Sequence, residues 1–358
     1  MSKNISKNNN INQVPDIFGR CITSHLARSG QVPSALEALV HKAAVTLMGS
    51  DMIIEDNFAP MAKLQQPRIS QPLESFEQTV FIDELTDKVK SEGFGPHFHQ
   101  IIGLFGSIML GLCATEAQQQ QVNQWLEQGH FGNFMMTDGG GPTLAYWNST
   151  LTPGDDDSFT LNIDKKWCIE GQNVGFGMVV CQQKGKPFPM TVLLSPEKSK
   201  ALQQEACGGS FLDGRLQLGN VKGQAQVSKD EFLTKGGLGS VNRFLTLVRP
   251  RFVKSLMHHL LWLRDQDRLM LEQDDLSAID FLINMANWCT ARDTFSIHSV
   301  DQVLALKFAS NELLLSLVLK GALKHIGDQR DLLGFTKMEG SSYRCLFEVY
   351  SKFKRGRV

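Results

Sequence analysis

The sequence predicts an α+β protein of several domains: an N-terminal helical part, a central small β-barrel and a C-terminal antiparallel four-helix bundle. Two switches in the period of the apolar residues carry this expectation. From Val32 to about Gly129 apolar residues recur at helical spacing, whereas over roughly 130–227 they alternate or cluster in short runs broken by Gly or Pro about every ten residues. From Ser228 the helical spacing returns. The boundaries that follow are a loosely ordered lead over 1–30, a helical domain over 31–129, a β domain over 130–227 and a helical bundle over 228–358.

Each element has its own signal. Ser34 opens a helix over Ala35 to Met48, with Leu36, Leu39, Val40, Ala43 and Leu47 on one face. Gly49 to Pro72 holds three prolines and reads as a long connection. A helix over Leu73 to Ser91 stops at Gly93, Gly95 and Pro96, and an almost wholly apolar one, His97 to Leu112, reads as buried between neighbours. Thr115 to Gln128 is polar, with Gln118 to Gln121 marking an exposed face. The β segments are Phe131 to Met136, Phe159 to Trp167, the short run Trp167 to Ile169, Met178 to Cys181 and Met190 to Leu194. The last four helices are expected over Phe244 to Asp265, Asp275 to Phe295, Val300 to Ile326 and Tyr343 to Lys354. Leu304, Phe308, Leu313, Leu314, Leu317 and Val318 stripe the third of them. No repeat of 20 to 50 residues is evident, which argues against a solenoid.

Composition excludes several classes. The chain of 358 residues is 42% hydrophobic and 20% charged, with a formal net charge of -1, so it has core to bury and no basic field for nucleic acid. The basic tail Lys352, Lys354, Arg355 and Arg357 reads as a solvated end. Seven cysteines show no two-residue spacing, which argues against a zinc knuckle or redox pair and for core thiols. Met1 to Gln13 is polar, without the apolar stretch of a signal peptide. The most apolar run, Ile101 to Cys113, is too short to span a membrane. A cytoplasmic protein is expected, with no membrane or nucleic-acid partner. His258-His259 reads as a surface pair without acidic neighbours at metal spacing, so no metal is assigned.

Specific words then narrow the fold. Ala114-Thr115-Glu116-Ala117-Gln118 opens the helix before the β part, and Thr137, Asp138, Gly139 and Thr143 lie in the turn Met136-Thr137-Asp138-Gly139-Gly140-Gly141-Pro142-Thr143. Asn162, Lys165, Trp167 and Gly171 follow, then Phe211, Asp213, Arg215, Asn220 and Gly223, then Arg249-Pro250 and Lys307-Phe308-Ala309-Ser310. In order and spacing these words, from about Phe76 onward, resemble the flavin-binding acyl-CoA dehydrogenases. The resemblance implies FAD as cofactor, with Thr137, Gly139, Thr143 and Trp167 against it. It also implies Arg249 at the substrate, and as partners an acyl thioester on coenzyme A or a carrier protein and a second subunit, of this chain or of a homologue.

The same resemblance shows what is missing. Such enzymes take a proton from the carbon alpha to a thioester with a glutamate, while hydride leaves the beta carbon for the flavin. The two family positions for that base hold Arg355 and Val248 here, and neither accepts a proton at neutral pH. A flavin-directed hydroxyl is replaced by Ile169, and the diphosphate-binding words are not visible at Arg264 to Leu269 or Lys324 to Asp328. Backbone N–H groups around Gly139 to Gly141 remain as anion donors. Glu339, in a loop before Gly340-Ser341-Ser342, is the candidate replacement base, whereas Glu348 reads as the exposed face of a short helix.

Plainer readings stand beside these. Thr137 and Thr143 can serve the turn itself, Trp167 can be a core aromatic, and Arg249 can be a structural ion-pair partner. Three functions compete: an FAD-dependent acyl thioester oxidoreductase with a relocated base, a flavin monooxygenase on the same fold, and a non-catalytic subunit of a heteromeric complex.

Overall fold

The computed structural model describes residues 76–348 apart from 142–143, 155–157, 292–295, 343 and 347. The lead over 1–30, the helix expected over Ala35 to Met48, and Arg355 lie outside the described residues. The described chain divides into two compact units. One comprises Thr86–Phe94 and the chain from Leu245, and the other comprises 76–85 and Gly95–Phe244.

Helices α1 (Phe76–Glu92), α2 (Phe98–Cys113) and α3 (Glu116–Glu127) come first. Thr115 caps α3 reciprocally: its hydroxyl accepts the Gln118 N–H, and the Gln118 side chain accepts the Thr115 N–H. Gln118 does not sit on an exposed face, as its place in a glutamine run suggests. It is buried because its amide nitrogen also donates to Asp230 O at 2.7 Å and Phe232 O at 3.0 Å.

Seven strands follow: β1 (Gly132–Met135), β2 (Thr150–Pro153), β3 (Ser158–Ile169), β4 (Phe176–Gln183), β5 (Pro189–Leu194), β6 (Gln203–Phe211) and β7 (Leu216–Ser228). A five-residue helix, α4 (Pro196–Lys200), interrupts them; it is started by the Ser195 cap and Pro196 and lies beyond the sequence expectation. Strands β1 and β2 pair in parallel with successive stretches of β4, opposite Phe176–Val179 and Gln182–Gln183, while β5 runs antiparallel to β4. From β2 the sheet continues antiparallel through β3 and β7 to β6. Strand β3 alternates strictly at first, turning Phe159, Leu161 and Ile163 into a core with Leu151, Val179, Val192 and Val221.

The other unit contains most of α5 (Gly237–Asp265), with α6 (Gln273–Thr290), α7 (Ile297–Leu319) and α8 (Ile326–Phe335). Val248, Phe252, Val253, Leu256, Met257, Leu260 and Leu263 of α5 are fully buried. The surface reading of His258 and His259 is overturned, since both are buried on this helix, whose apolar positions exceed one stripe. His258 Nδ1 lies 2.6 Å from Thr86 O, and His259 Nδ1 accepts the Phe94 N–H at 3.3 Å while its ring stacks on Trp262.

Two helix expectations also change. The helix expected to run to Ile326 ends at Leu319, two residues before Gly321, whose φ of 70° suits a helix end. Helix α8 then arises where no element was expected. Its buried Asp328, Arg330 and Asp331 disguise an inward face, and Arg268 satisfies Asp328 with a two-pronged ion pair. Ser299–Leu319 is long and apolar enough to cross a membrane, contrary to the expectation that no run is, and most of it is buried in the protein. Cys113, Cys168, Cys181 and Cys345 are core thiols as expected; Cys207 and Cys289 are half-buried.

Candidate functional site

In the sheet unit the turn after β1 is organised by a buried ion pair. Lys165 falls on the inward phase of β3 after Phe159, Leu161 and Ile163, so its ammonium is carried into the core. Such a charge needs a partner. Asp138 provides it at 3.2 Å, with both side chains fully buried. Lys165 also donates to Met136 O at 3.1 Å and lies over the Trp147 ring at 4.7 Å. Asp138 in turn accepts N–H groups of Gly140 at 2.8 Å, Asn148 at 2.7 Å and Ser149 at 3.0 Å. Burial works to raise the Asp138 carboxyl, but these hydrogen bonds and the Lys165 charge outweigh it and hold the carboxyl below its usual range.

The glycines of this turn are explained by packing. A Cβ on Gly139 would come within 2.2 Å of Asp164 Oδ2, and one on Gly140 within 1.8 Å of Tyr146 O. Their amides, expected to remain as anion donors, are used by the chain itself. Gly139 N–H donates to Asp164 O, Gly140 N–H to Asp138 Oδ1 and Gly141 N–H to Asp138 O. Thr143 lies outside the described residues.

Thr137 and Trp167 stand together beside this turn. The Asp138–Lys165 bridge puts Thr137 opposite Lys166, whose N–H donates to Thr137 O at 3.0 Å. Strand β3 then gains one residue on β7, since Lys165 pairs with Val221 but Cys168 with Gly219. Trp167 occupies that bulge with a φ of 54° and is half-exposed, while Thr137 is exposed. An exposed hydroxyl and an aromatic face on a strained bulge suit the edge and plane of a ring better than a phosphate. Ile169, at the end of β3, is half-exposed and adds no hydroxyl.

In the helical unit, Arg249, Lys307 and Glu339 interact electrostatically, drawn from α5, α7 and the loop after α8. Arg249 is 6% exposed, and its Nε has no hydrogen-bond partner among the described residues. Lys307 is completely buried, donating to Asn311 Oδ1 at 2.5 Å and Phe335 O at 3.1 Å, with its ammonium 5.0 Å from the Phe252 ring centre. Glu339 and Gly340 have φ values of 56° and 119°, two consecutive residues in the left-handed region. A Cβ on Gly340 would stand 3.0 Å from Cys345 Sγ and 3.3 Å from Arg249 Nη2, so this backbone is pressed against the arginine. Burial pushes the Glu339 carboxyl above its ordinary range against the opposing pull of Arg249 and Lys307. Val248, at the other family position for a base, is fully buried in the core, and Glu348 is paired with Arg344 at 2.9 Å.

Burial lowers the Lys307 ammonium to about 7, with Cys345 and Glu339 pulling it up and Arg249 pushing it down. The unfolded chain therefore holds a proton on Lys307 between about pH 7 and 10.5 that the folded chain has released. This contribution to stability is fully present above the unfolded value and is lost as pH falls toward the folded one. The difference in unfolding free energy between wild type and K307M, measured in urea, should change progressively across that window, the wild type gaining relative to the variant as pH rises.

In sequence, no protein-family profile and no curated protein matches the chain. Solved structures do match it. Glutaryl-coenzyme A dehydrogenase in complex with glutaryl-CoA aligns at a TM-score of 0.60 and 14% identity, over 100% of this chain and 98% of that one. The fold is that of the acyl-CoA dehydrogenases. Butyryl-CoA dehydrogenase from Megasphaera elsdenii aligns at 0.54 and 14% identity over 88% of this chain and 98% of its own. TdsC from Paenibacillus sp. A11-2, a complex with FMN and indole, aligns at 0.54 and 12% identity over 98% of each. The prolyl acyl carrier protein oxidase AnaB also aligns, at 0.52 and 12% identity over 78% of this chain and 100% of its own, so the residues of this chain have to carry any choice of chemistry on this fold.

Two residues of these clusters have no role in the sequence motifs: Lys307 belongs only to a family word, and Asn311 to none. Their signal is a polar residue in an apolar phase: both fall in the α7 stripe that contains Leu304, Phe308 and Leu314.

Proposed function

We propose that this protein is a flavin-dependent oxidoreductase acting on an acyl thioester, carried on coenzyme A or on a carrier protein, with Glu339 as its base. One observation carries the reading: the environment of Glu339. A carboxyl raised by burial, beside Arg249 and Lys307 and on a backbone in a costly conformation, has the attributes of a tuned proton acceptor. At neutral pH such a carboxylate takes a proton from carbon more readily than an ordinary solvated one, because less driving force is lost in the transfer.

Under this reading Glu339 removes the proton alpha to the thioester carbonyl. Arg249 keeps the Glu339 carboxyl ionised enough to act and provides buried N–H groups for substrate oxygens, consistent with an Nε that has no hydrogen-bond partner among the described residues. Thr137 would meet a polar edge of the flavin and Trp167 its ring face. When bound, the flavin supplies the acceptor for the hydride leaving the beta carbon. The Asp138–Lys165 pair fixes the turn that presents Thr137 and touches no reactant.

The purified protein should be yellow, and an acyl thioester added without oxygen should bleach the flavin band. A flavin band that no acyl thioester of coenzyme A or a carrier protein reduces would overturn the proposal. A second reading, a non-catalytic subunit, is favoured by the internal use of the Gly139, Gly140 and Gly141 amides, which removes three donors a cofactor phosphate could have used. That reading predicts that the isolated chain carries no flavin.

A further inference from the structure

Glu339 and Gly340 occupy left-handed backbone one after the other. Glycine does so without cost, but for glutamate the conformation is sterically disfavoured. It persists where the surroundings impose it. The imposing groups are two polar side chains one turn apart on α7. Lys307 Nζ donates to Phe335 O, the last residue of α8, at 3.1 Å, and Asn311 Nδ2 donates to Gly340 O at 3.0 Å. These two bonds hold opposite ends of the segment 336–340. They are joined to each other by the bond from Lys307 Nζ to Asn311 Oδ1.

Both side chains are fully buried, next to Leu304, Phe308 and Leu314. The expense of burying them is explained if the segment they tie must keep one shape. Within the segment, Lys337 N–H bonds to Gly334 O and Met338 N–H to Phe335 O, so the helix end frays into a tight turn before Glu339. Beyond it, Gly340 rests against Arg249 and Cys345. We infer that Lys307 and Asn311 form a clamp that sets the position of the Glu339 carboxyl, as positioning residues for the proton transfer proposed above. The clamp rests on that reading for its purpose, but not for its existence.

The test therefore reads the clamp and the chemistry separately. In the full-length protein, N311A removes the Gly340 tether, and K307M removes the Phe335 tether while filling the same space. Two structural readouts are taken for each: amide hydrogen exchange over 336–341, and the titration of Glu339 by carboxyl carbon NMR, assigned with E339Q. The clamp predicts at least tenfold faster exchange confined to this segment in both variants, and in N311A a Glu339 titration moved toward that of an ordinary glutamate; K307M also removes the Lys307 charge that pulls this carboxyl down, so there the exchange alone reads the clamp. In thioester-dependent flavin reduction it predicts a loss of at least tenfold in kcat with KM changed less than threefold.

Unchanged exchange in both variants, with an unchanged Glu339 titration in N311A, would overturn the clamp whatever the activity. Altered exchange and titration, with E339Q still reducing flavin at the wild-type rate, would leave the clamp standing and overturn the assignment of Glu339 as base. Should N311A fail to accumulate as folded protein, K307M still reads the clamp through the exchange of 336–341. It leaves no unpaired buried charge at its own position.

Discussion

Replacing Glu339 by Gln is expected to slow thioester-dependent flavin reduction by about 10²–10⁴-fold, the contribution typical of a positioned general base. Bound flavin should be unchanged, because Thr137 and Trp167, proposed to meet the flavin, are left as they are. Glutamine keeps the volume and the backbone demand of glutamate and removes only the ability to take a proton. A useful contrast is E339G. Glycine adopts the observed φ of 56° freely, so that variant should be more stable than wild type by about 1 kcal/mol in urea unfolding while being as inactive as E339Q. More stability with less function identifies conformational cost spent on the reaction. Equal activity in wild type and E339Q would show that the strain at Glu339 serves the fold alone.

The largest stability effect is expected in the other unit. Removing Lys165, as K165M, leaves Asp138 buried without its counter-charge and should cost about 3–5 kcal/mol, read as a fall in the urea midpoint at unchanged slope. D138A should cost more, because it strands the Lys165 ammonium and also deprives the Gly140, Asn148 and Ser149 N–H groups of their acceptor. The order of the two variants matters. If K165M lost less than about 1 kcal/mol, the turn would be held by the three N–H bonds to Asp138, and the lysine would be incidental to it.

Much of the fold was legible because its signals are local and periodic. The alternation of Phe159, Leu161 and Ile163 marks β3, and the same alternation, carried two residues on, brings Lys165 inward and so calls for a partner such as Asp138. Helix α8 was illegible for the converse reason: its inward positions include Asp328, Arg330 and Asp331, and their partner in Arg268 lies far away in sequence. His258 and His259 misled in the same way, since only the approach of Thr86 and Phe94 makes a buried imidazole affordable. In the candidate site, Arg249 and Glu339 were nameable from sequence, and the structure brings them into electrostatic reach of each other. Lys307 and Asn311 acquire a role only through Phe335 and Gly340, which no spacing rule links to them. The Gly139–Gly141 amides look free in sequence and are engaged in the fold, because the turn that needs the glycines also consumes their donors.

Proton removal from the substrate can be watched without any electron transfer. An acyl thioester incubated with the protein in D2O, in the absence of oxygen, reports the base through deuterium appearing at its alpha carbon, followed by mass spectrometry. The assignment of Glu339 predicts deuterium uptake with wild type, and uptake at least a hundredfold slower with E339Q, at equal occupancy by the thioester. Equal uptake by the two proteins, or none by wild type with the thioester bound, would contradict it.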